Sequence, residues 1–298
     1  MPPIPPPRES GYTTSTPVPL YWCAYGPAGA RRLLVLHGGP GADHRYLLPQ
    51  MLILAEDYDL VFYDQRGGGS SRTDDATKIT WQTHVADLAA VAAELGLTPL
   101  ELIGYSWGGL LAMLYAAEAS RADGHAARHP SPTSLMLIDP APLTRRFREQ
   151  FEAEFSRRQQ SEEVQRLRQE LADSGLRERD PAAYRQRAFE LSVAGYFADP
   201  ARARDLTPFR VIGRVQQSVW GSLGDFDLQP GLRRVTAPSL IIHGRQDPIP
   251  LESSETVAEA LRARLVVLED CGHVPYVEQA PSLFDAMRGF LTETSPAP

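Results

Sequence analysis

A serine, a histidine and a carboxylate can together break an acyl bond without a metal. This chain carries all three in contexts suited to that chemistry. Gly104-Tyr-Ser106-Trp-Gly108 has the form G-x-S-x-G, between a short apolar run at 100–103 and a helical run at 110–119. Ser106 then occupies a tight strand-to-helix turn, where only small neighbours fit two residues away on either side. The turn exposes its Oγ beside a helix N-terminus. There the backbone N–H of Trp107 can face a developing oxyanion.

A serine hydroxyl needs a base. His273 is the candidate, in a Gly-His pair just after the last apolar run, 265–268. A histidine in that role needs a carboxylate to fix its tautomer and stabilise its charged form. Asp247, in Gly244-Arg-Gln-Asp247 after the preceding strand-like run, is favoured. Asp139, at the end of the run 135–138, is the rival. The Ser, Asp, His order is that of the α/β-hydrolases.

His37-Gly-Gly-Pro-Gly41 follows another apolar run, and its glycines let backbone N–H groups approach a substrate closely. Gly39 is the expected second oxyanion donor, ahead of Gly38. A phosphate-cradling reading fails, because GxxxxGK[ST] is absent and Lys78 is the only lysine. His44, His84, His125, His129 and His243 form no HExxH or comparable ligand pattern, so no metal or other cofactor is expected. Cys271, two residues before His273, lacks the turn context of a nucleophile and reads as packing. With Cys23 it makes two reduced thiols rather than a disulfide framework.

These residues must be positioned by strands. Leu20-Tyr-Trp-Cys-Ala-Tyr25, Leu33-Leu-Val-Leu36, Leu60-Val-Phe-Tyr63, Leu100-Glu-Leu-Ile103, Leu135-Met-Leu-Ile138, Ser239-Leu-Ile-Ile242 and Leu265-Val-Val-Leu268 are short and mostly apolar. Such runs suit a parallel sheet buried on both faces. Helical spacing is expected over 80–95, capped by Thr80 and stopped by Gly96, and again over 110–119, 251–263 and 281–291. Residues 120–134 read as a loop, and the proline-rich first ten residues as an extended, frayed arm. Composition shifts at Leu143. Residues 145–190 hold 11 arginines and 10 carboxylates without a strand-like run, implying amphipathic helices with solvated outer faces. The expected architecture is α/β: a mostly parallel sheet flanked by helices, with core segments 1–142 and 229–298 and a helical cap inserted at 143–228. In such sheets functional residues lie at the carboxyl ends of the strands, where the motifs above fall.

A chain of 298 residues with 43% hydrophobic and 22% charged residues can bury a full core without staples. Its net charge of −7 argues against a nucleic-acid binder. No apolar stretch approaches the roughly 20 residues of a membrane span. The N-terminus lacks a signal-peptide apolar region, so a soluble cytoplasmic protein is expected. Its partner is expected to be a small peptide or ester substrate, with oligomeric state left open.

His37-Gly-Gly-Pro-Gly41, Asp64-Gln-Arg-Gly-Gly-Gly-Ser-Ser71 and Gly104-Tyr-Ser-Trp-Gly-Gly109 together resemble the proline iminopeptidase branch of the α/β-hydrolases. The likeness covers about 1–140 and 235–298. It implies an N-terminal exopeptidase acting without metal: Ser106 as nucleophile, His273 as base, Asp247 as its partner, and Gly39 and Trp107 as oxyanion donors. It also implies a structural role for Arg66, tying neighbouring loops together. Family members typically hold the substrate's free amine with cap glutamates. This chain departs there, having no Glu between Glu190 and Glu252. Glu190, Asp225 and Asp227 are the expected amine-binding residues. The alternative is a carboxylic-ester or lactone hydrolase on the same three residues.

Overall fold

The computed structural model describes residues 3–74, 76–121 and 130–295. Of the loop expected over 120–134, residues 122–129, with His125 and His129, lie outside the described residues.

The strands are β1 (Glu9–Tyr12), β2 (Tyr21–Tyr25), β3 (Arg32–Leu36), β4 (Asp59–Tyr63), β5 (Glu101–Tyr105), β6 (Ser134–Ile138), β7 (Ser239–Gly244) and β8 (Arg264–Leu268). They form one sheet in the order β1-β2-β4-β3-β5-β6-β7-β8. The β1–β2 and β2–β4 pairs are antiparallel and the others parallel. Strands β4 to β7 are buried along their whole length. This is why their sequences run apolar instead of alternating.

Strand β1 departs from the expected frayed arm. Its residues Glu-Ser-Gly-Tyr are mostly exposed and carry no apolar pattern. Backbone pairing to β2 holds it at the sheet edge, and the Arg8 side chain anchors it, donating to Asp59 Oδ1 (2.6 Å) and the Gly26 carbonyl (3.0 Å).

Helix α1 (Trp81–Glu94) begins at a capping box in which Thr80 and Thr83 satisfy each other's backbone N–H groups. Such a cap is worth about 1 kcal/mol. Past the helix end, Gly96 takes a left-handed φ of 61°. In α2 (Trp107–Ala119) every residue but Glu118 is buried. A helix apolar all round belongs in the core; this one lies against β5 and carries Ser106 at its N-cap.

Between β6 and β7 the chain forms α3 (Arg145–Gln159), α4 (Glu162–Asp173), α5 (Leu176–Arg179), α6 (Pro181–Val193), α7 (Gly213–Leu223) and α8 (Gln229–Leu232), with no strand. Thr144, Ser161 and Asp180 cap α3, α4 and α6 with side-chain oxygens. Helix α9 (Leu251–Leu261) links β7 to β8, and α10 (Pro275–Glu278) and α11 (Ala280–Glu293) follow β8.

The sheet register aligns the strand ends that matter. Leu36 pairs with Gly104, Gly104 with Leu137, Ile138 with Ile242, and Gly244 with Leu268. The segments that leave β3, β5, β6, β7 and β8 therefore start from one edge of the sheet.

Candidate active site

Ser106 caps α2 with φ 53° and ψ −119°, in a region L-residues rarely occupy. Such a conformation costs about 1–3 kcal/mol and persists only where the surroundings enforce it. The enforcement is local. A Cβ on Gly104 would meet the Gly108 carbonyl oxygen at 2.5 Å, and one on Gly108 would meet the His37 carbonyl oxygen at 2.8 Å. Two glycines thus let strand and helix close around the serine. The Ser106 N–H donates to the Ile138 carbonyl (2.9 Å), fixing the turn to β6.

Ser106 Oγ lies 3.0 Å from His273 Nε2, and His273 Nδ1 lies 2.7 Å from Asp247 Oδ2. With Nδ1–H donating to the carboxylate, Nε2 presents its lone pair to the serine hydroxyl. The other Asp247 oxygen, Oδ1, accepts the Ile249 N–H (2.7 Å). The imidazole stacks on the Tyr196 ring, with centroids 5.1 Å apart, and its backbone N–H donates to the Tyr196 carbonyl (2.6 Å). The Tyr105 hydroxyl donates to the His273 carbonyl (2.8 Å).

Both groups are buried, and burial pushes both toward their neutral forms. Asp247 rises to about 7, and His273 falls to about 4. A neutral imidazole is the form that can take a proton from Ser106, and the adjoining carboxyl group is placed to stabilise the imidazolium that results.

Gly39 and Trp107 line the same cavity of about 570 Å³ as Ser106 and His273. In the Gly39 loop the Gly38 N–H donates to Tyr46 Oη at 2.6 Å. Gly39 sits at φ 60°, a conformation glycine takes without strain. The loops behind this wall are locked together. Gln65 N–H donates to His37 Nε2 (3.1 Å), Gln65 Nε2 donates to the His37 carbonyl (2.8 Å), and Gln65 Oε1 accepts the Trp107 indole N–H (2.7 Å).

A model of the alpha/beta hydrolase fold matches residues 31–280. The chain belongs to the α/β-hydrolase fold family. It is 26% identical to a proline iminopeptidase of Heyndrickxia coagulans over 274 residues, covering 88% of this chain and 91% of that one. The structure superposes on a proline iminopeptidase-related protein of Thermus thermophilus with a TM-score of 0.70 at 22% identity, covering 95% of this chain and 97% of the other. It also superposes on an enol-lactonase of Burkholderia xenovorans with a TM-score of 0.64 at 21% identity, covering 95% and 100%.

In this α/β-hydrolase the carboxylate on His273 is Asp247. The rival Asp139 is fully buried and accepts the Gly244 N–H at 2.8 Å instead. Arg66 makes a bidentate pair with Asp87 on α1 (2.8 and 2.5 Å), so it ties its loop to a helix, not to another loop. Cys23 and Cys271 are both buried and free.

The expected amine-binding residues are not in the cavity. Glu190 is buried on α6, where its carboxylate takes Gln186 (3.1 Å) and Arg187 (2.7 Å), and it lines a separate hollow against α4. Asp225 is exposed. Asp227 is exposed as well, and its Oδ1 accepts the Gln229 N–H (2.9 Å) at the start of α8. The carboxylate that does line the cavity is Glu152 on α3. It pairs with Arg148 (2.8 Å), whose guanidinium lies over the Trp220 ring at 4.4 Å. Phe151 and Phe155 belong to the same wall. Residues 148, 151, 152 and 155 share one helical face, in a helix that starts seven residues beyond β6, but nothing in the sequence marks that face as the inward one.

Among the described residues, no helix is long and apolar enough to cross a membrane.

Proposed function

We propose that this hydrolase is an N-terminal exopeptidase that releases proline or another small apolar residue from peptides through an acyl-enzyme. The observation that carries the serine chemistry is the unbroken contact chain from Ser106 Oγ through His273 to Asp247, opening on one cavity that Gly39 and Trp107 also line. His273 takes the Ser106 proton as Oγ attacks the scissile carbonyl. The N–H groups of Gly39 and Trp107 hold the oxyanion. His273 then returns the proton to the leaving amine, and water, activated by the same imidazole, releases the acid.

The peptidase reading draws on the proline iminopeptidase relatives and on Glu152, whose carboxylate stands in the cavity where an ammonium would need a partner. Residues 143–228 act as a cap in this reading, with α3 and α7 supplying the wall over Ser106. An ester or lactone hydrolase is the second reading. It is favoured by one observation: Glu152 is already paired to Arg148, and no other carboxylate is among the described residues lining the cavity.

Three substrates separate the two: proline anilide, its N-acetyl form and a p-nitrophenyl ester. The exopeptidase cleaves the free anilide and leaves the acetylated one. Equal rates on free and acetylated anilide, with faster ester turnover, overturn it in favour of the esterase.

A further inference from the structure

We propose that Asp139 is a carboxylic acid that keeps its proton and donates it in a hydrogen bond to the Asp247 carboxylate, so that a carboxyl pair, not a lone aspartate, stands behind His273. The proposal rests on Ser106, His273 and Asp247 being the reacting set, and makes Asp139 a positioning residue for it.

The argument begins with a missing donor. Asp139 directly follows β6, and its side chain is fully buried. Oδ1 accepts the Gly244 N–H, but no donor among the described residues reaches Oδ2. A buried carboxylate oxygen left bare costs far more than a bare carbonyl. A hydroxyl in that place needs an acceptor, and one lies within reach. One polar side-chain atom each of Asp139, His243 and Asp247 lie within 4.8 Å of one another, and all three groups are buried. Asp247 can accept the hydrogen, since each of its oxygens takes only one donor from Ile249 or His273 and has a second lone pair free.

No cation stands by to let both groups ionise. His243 is the third member, with Nδ1 3.7 Å from Asp139 Oδ1. Its Nε2 faces the Ile249 carbonyl at 3.2 Å and carries the hydrogen, and Nδ1 lies 2.9 Å from Ser254 Oγ, whose hydroxyl can donate to it, so a neutral ring satisfies both contacts. Burial lowers His243 to about 3. The other titratable groups acting on the pair are His273, Cys271, Glu278, Arg158 and the hydroxyls of Tyr105, Tyr196 and Tyr276. Of these only Arg158 is a permanent cation, and its Nη1 is spent on the Gln246 carbonyl at 2.5 Å. Two carboxylates in one dry site cannot both ionise, and the one without a histidine keeps the proton. Burial and the Asp247 charge hold Asp139 far above the ordinary carboxyl range.

The donated hydrogen bond favours the ionised form of Asp247 against its own burial, and it braces the carboxyl group against rotation. A carboxamide has the same shape and still donates. Asp139→Leu removes the donor. It should lower kcat/KM by on the order of tenfold to a hundredfold and move the acid limb of the pH profile upward. Asp139→Asn should restore most of that activity, with the limb near its wild-type position. If Asp139 were ionised, Asp139→Asn would instead delete a negative charge facing the pair and move the limb downward, and that shift overturns the proposal.

A readout independent of turnover is the carboxylic-acid C=O stretch in the infrared difference between wild type and Asp139→Asn at pH 8. A band present in wild type and absent from the variant supports the protonated acid. Its absence from the difference spectrum overturns it, even should Asp139→Leu fail to fold. The band belongs to the ground state of the protein, so it survives a failure of the Ser106 assignment, which Ser106→Ala tests separately.

Discussion

Gly108 stands against the Leu36 carbonyl so closely that no Cβ fits between them. A methyl group there would also meet the His37 carbonyl oxygen at 2.8 Å. Both neighbours are backbone of the segment that carries Gly39, so nothing flexible can give way. Gly108→Ala should cost at least the 1–3 kcal/mol typical of overpacking, and should displace the Gly39 loop from Ser106. Gly289, inside α11, is the control. A Cβ there meets nothing within 4 Å. Gly289→Ala should stabilise by about 0.5–1 kcal/mol through helix propensity alone. Thermal melts of the two variants check the contrast; equal shifts would remove the elbow argument.

Ser106→Ala removes the hydroxyl that faces His273 Nε2 and little else. The variant should stay folded with an unchanged melting temperature while kcat falls by roughly 10⁴-fold or more. A fluorophosphonate should label Ser106 in the wild type and nothing in the variant. Full turnover by Ser106→Ala would dismiss the serine mechanism whatever the substrate.

The acid limb follows from burial of the His273–Asp247 pair. Activity needs the imidazole free to accept a proton. Burial holds His273 down at about 4 and Asp247 up at about 7, so the pair takes up its extra proton as pH falls through that interval. The sign is loss of kcat/KM on acidification below about 7 and a plateau above it. A rise that begins only above pH 8 would contradict the assignment of this pair.

The contact chain was legible because each member sits in a short local pattern at a strand end: Ser106 between two glycines, Asp247 after β7, His273 after β8. The sheet then aligns those ends without further instruction. The cavity wall was not legible. Glu152 lies in a helix whose charges run in blocks, arginines at 145, 146 and 148, glutamates at 149, 152 and 154 and arginines at 157 and 158, and only tertiary packing decides which face turns inward. Strand β1 escaped for the opposite reason, since an exposed edge strand needs backbone partners more than apolar residues. Asp139 read as a competitor of Asp247 because both end strands. The register puts Asp139 beside the end of β7, from which the turn to Asp247 leaves, a relation that no linear spacing contains.

His44 was another residue without a sequence signal, because its partners come from strand β2 and from the loop after β4. Its Nδ1 lies 2.7 Å from Asp64 Oδ1, and its Nε2 lies 3.3 Å from Cys23 Sγ. Burial, the largest single effect, opposes a charge on His44, but the hydrogen bonds to Asp64 and Cys23 and the charges on those groups together outweigh it and raise the imidazole to about 9. The stabilisation from this raised group is complete below its unfolded value near 6.5. It is lost as pH rises through about 9. His44→Gln keeps a donor for Asp64 and cannot titrate. Between pH 7 and 9.5 the melting temperature of the wild type should fall more steeply than that of His44→Gln; parallel curves would show that His44 is neutral when folded.

Glu152 decides between the two substrate readings. If it receives the substrate ammonium, it must leave or share Arg148, whose guanidinium lies over the Trp220 ring. Glu152→Gln removes the charge at nearly constant shape. For an exopeptidase the loss is that of a charge-assisted hydrogen bond in a partly dry cavity, on the order of 10–10³ in kcat/KM on proline anilide. The neutral p-nitrophenyl ester has no ammonium, so its turnover should change by less than about threefold. The comparison is internal to one variant, which cancels any general disturbance of α3. Equal losses on both substrates would mean that Glu152 only holds Arg148 in position, and the free amine would then have no carboxylate to read it.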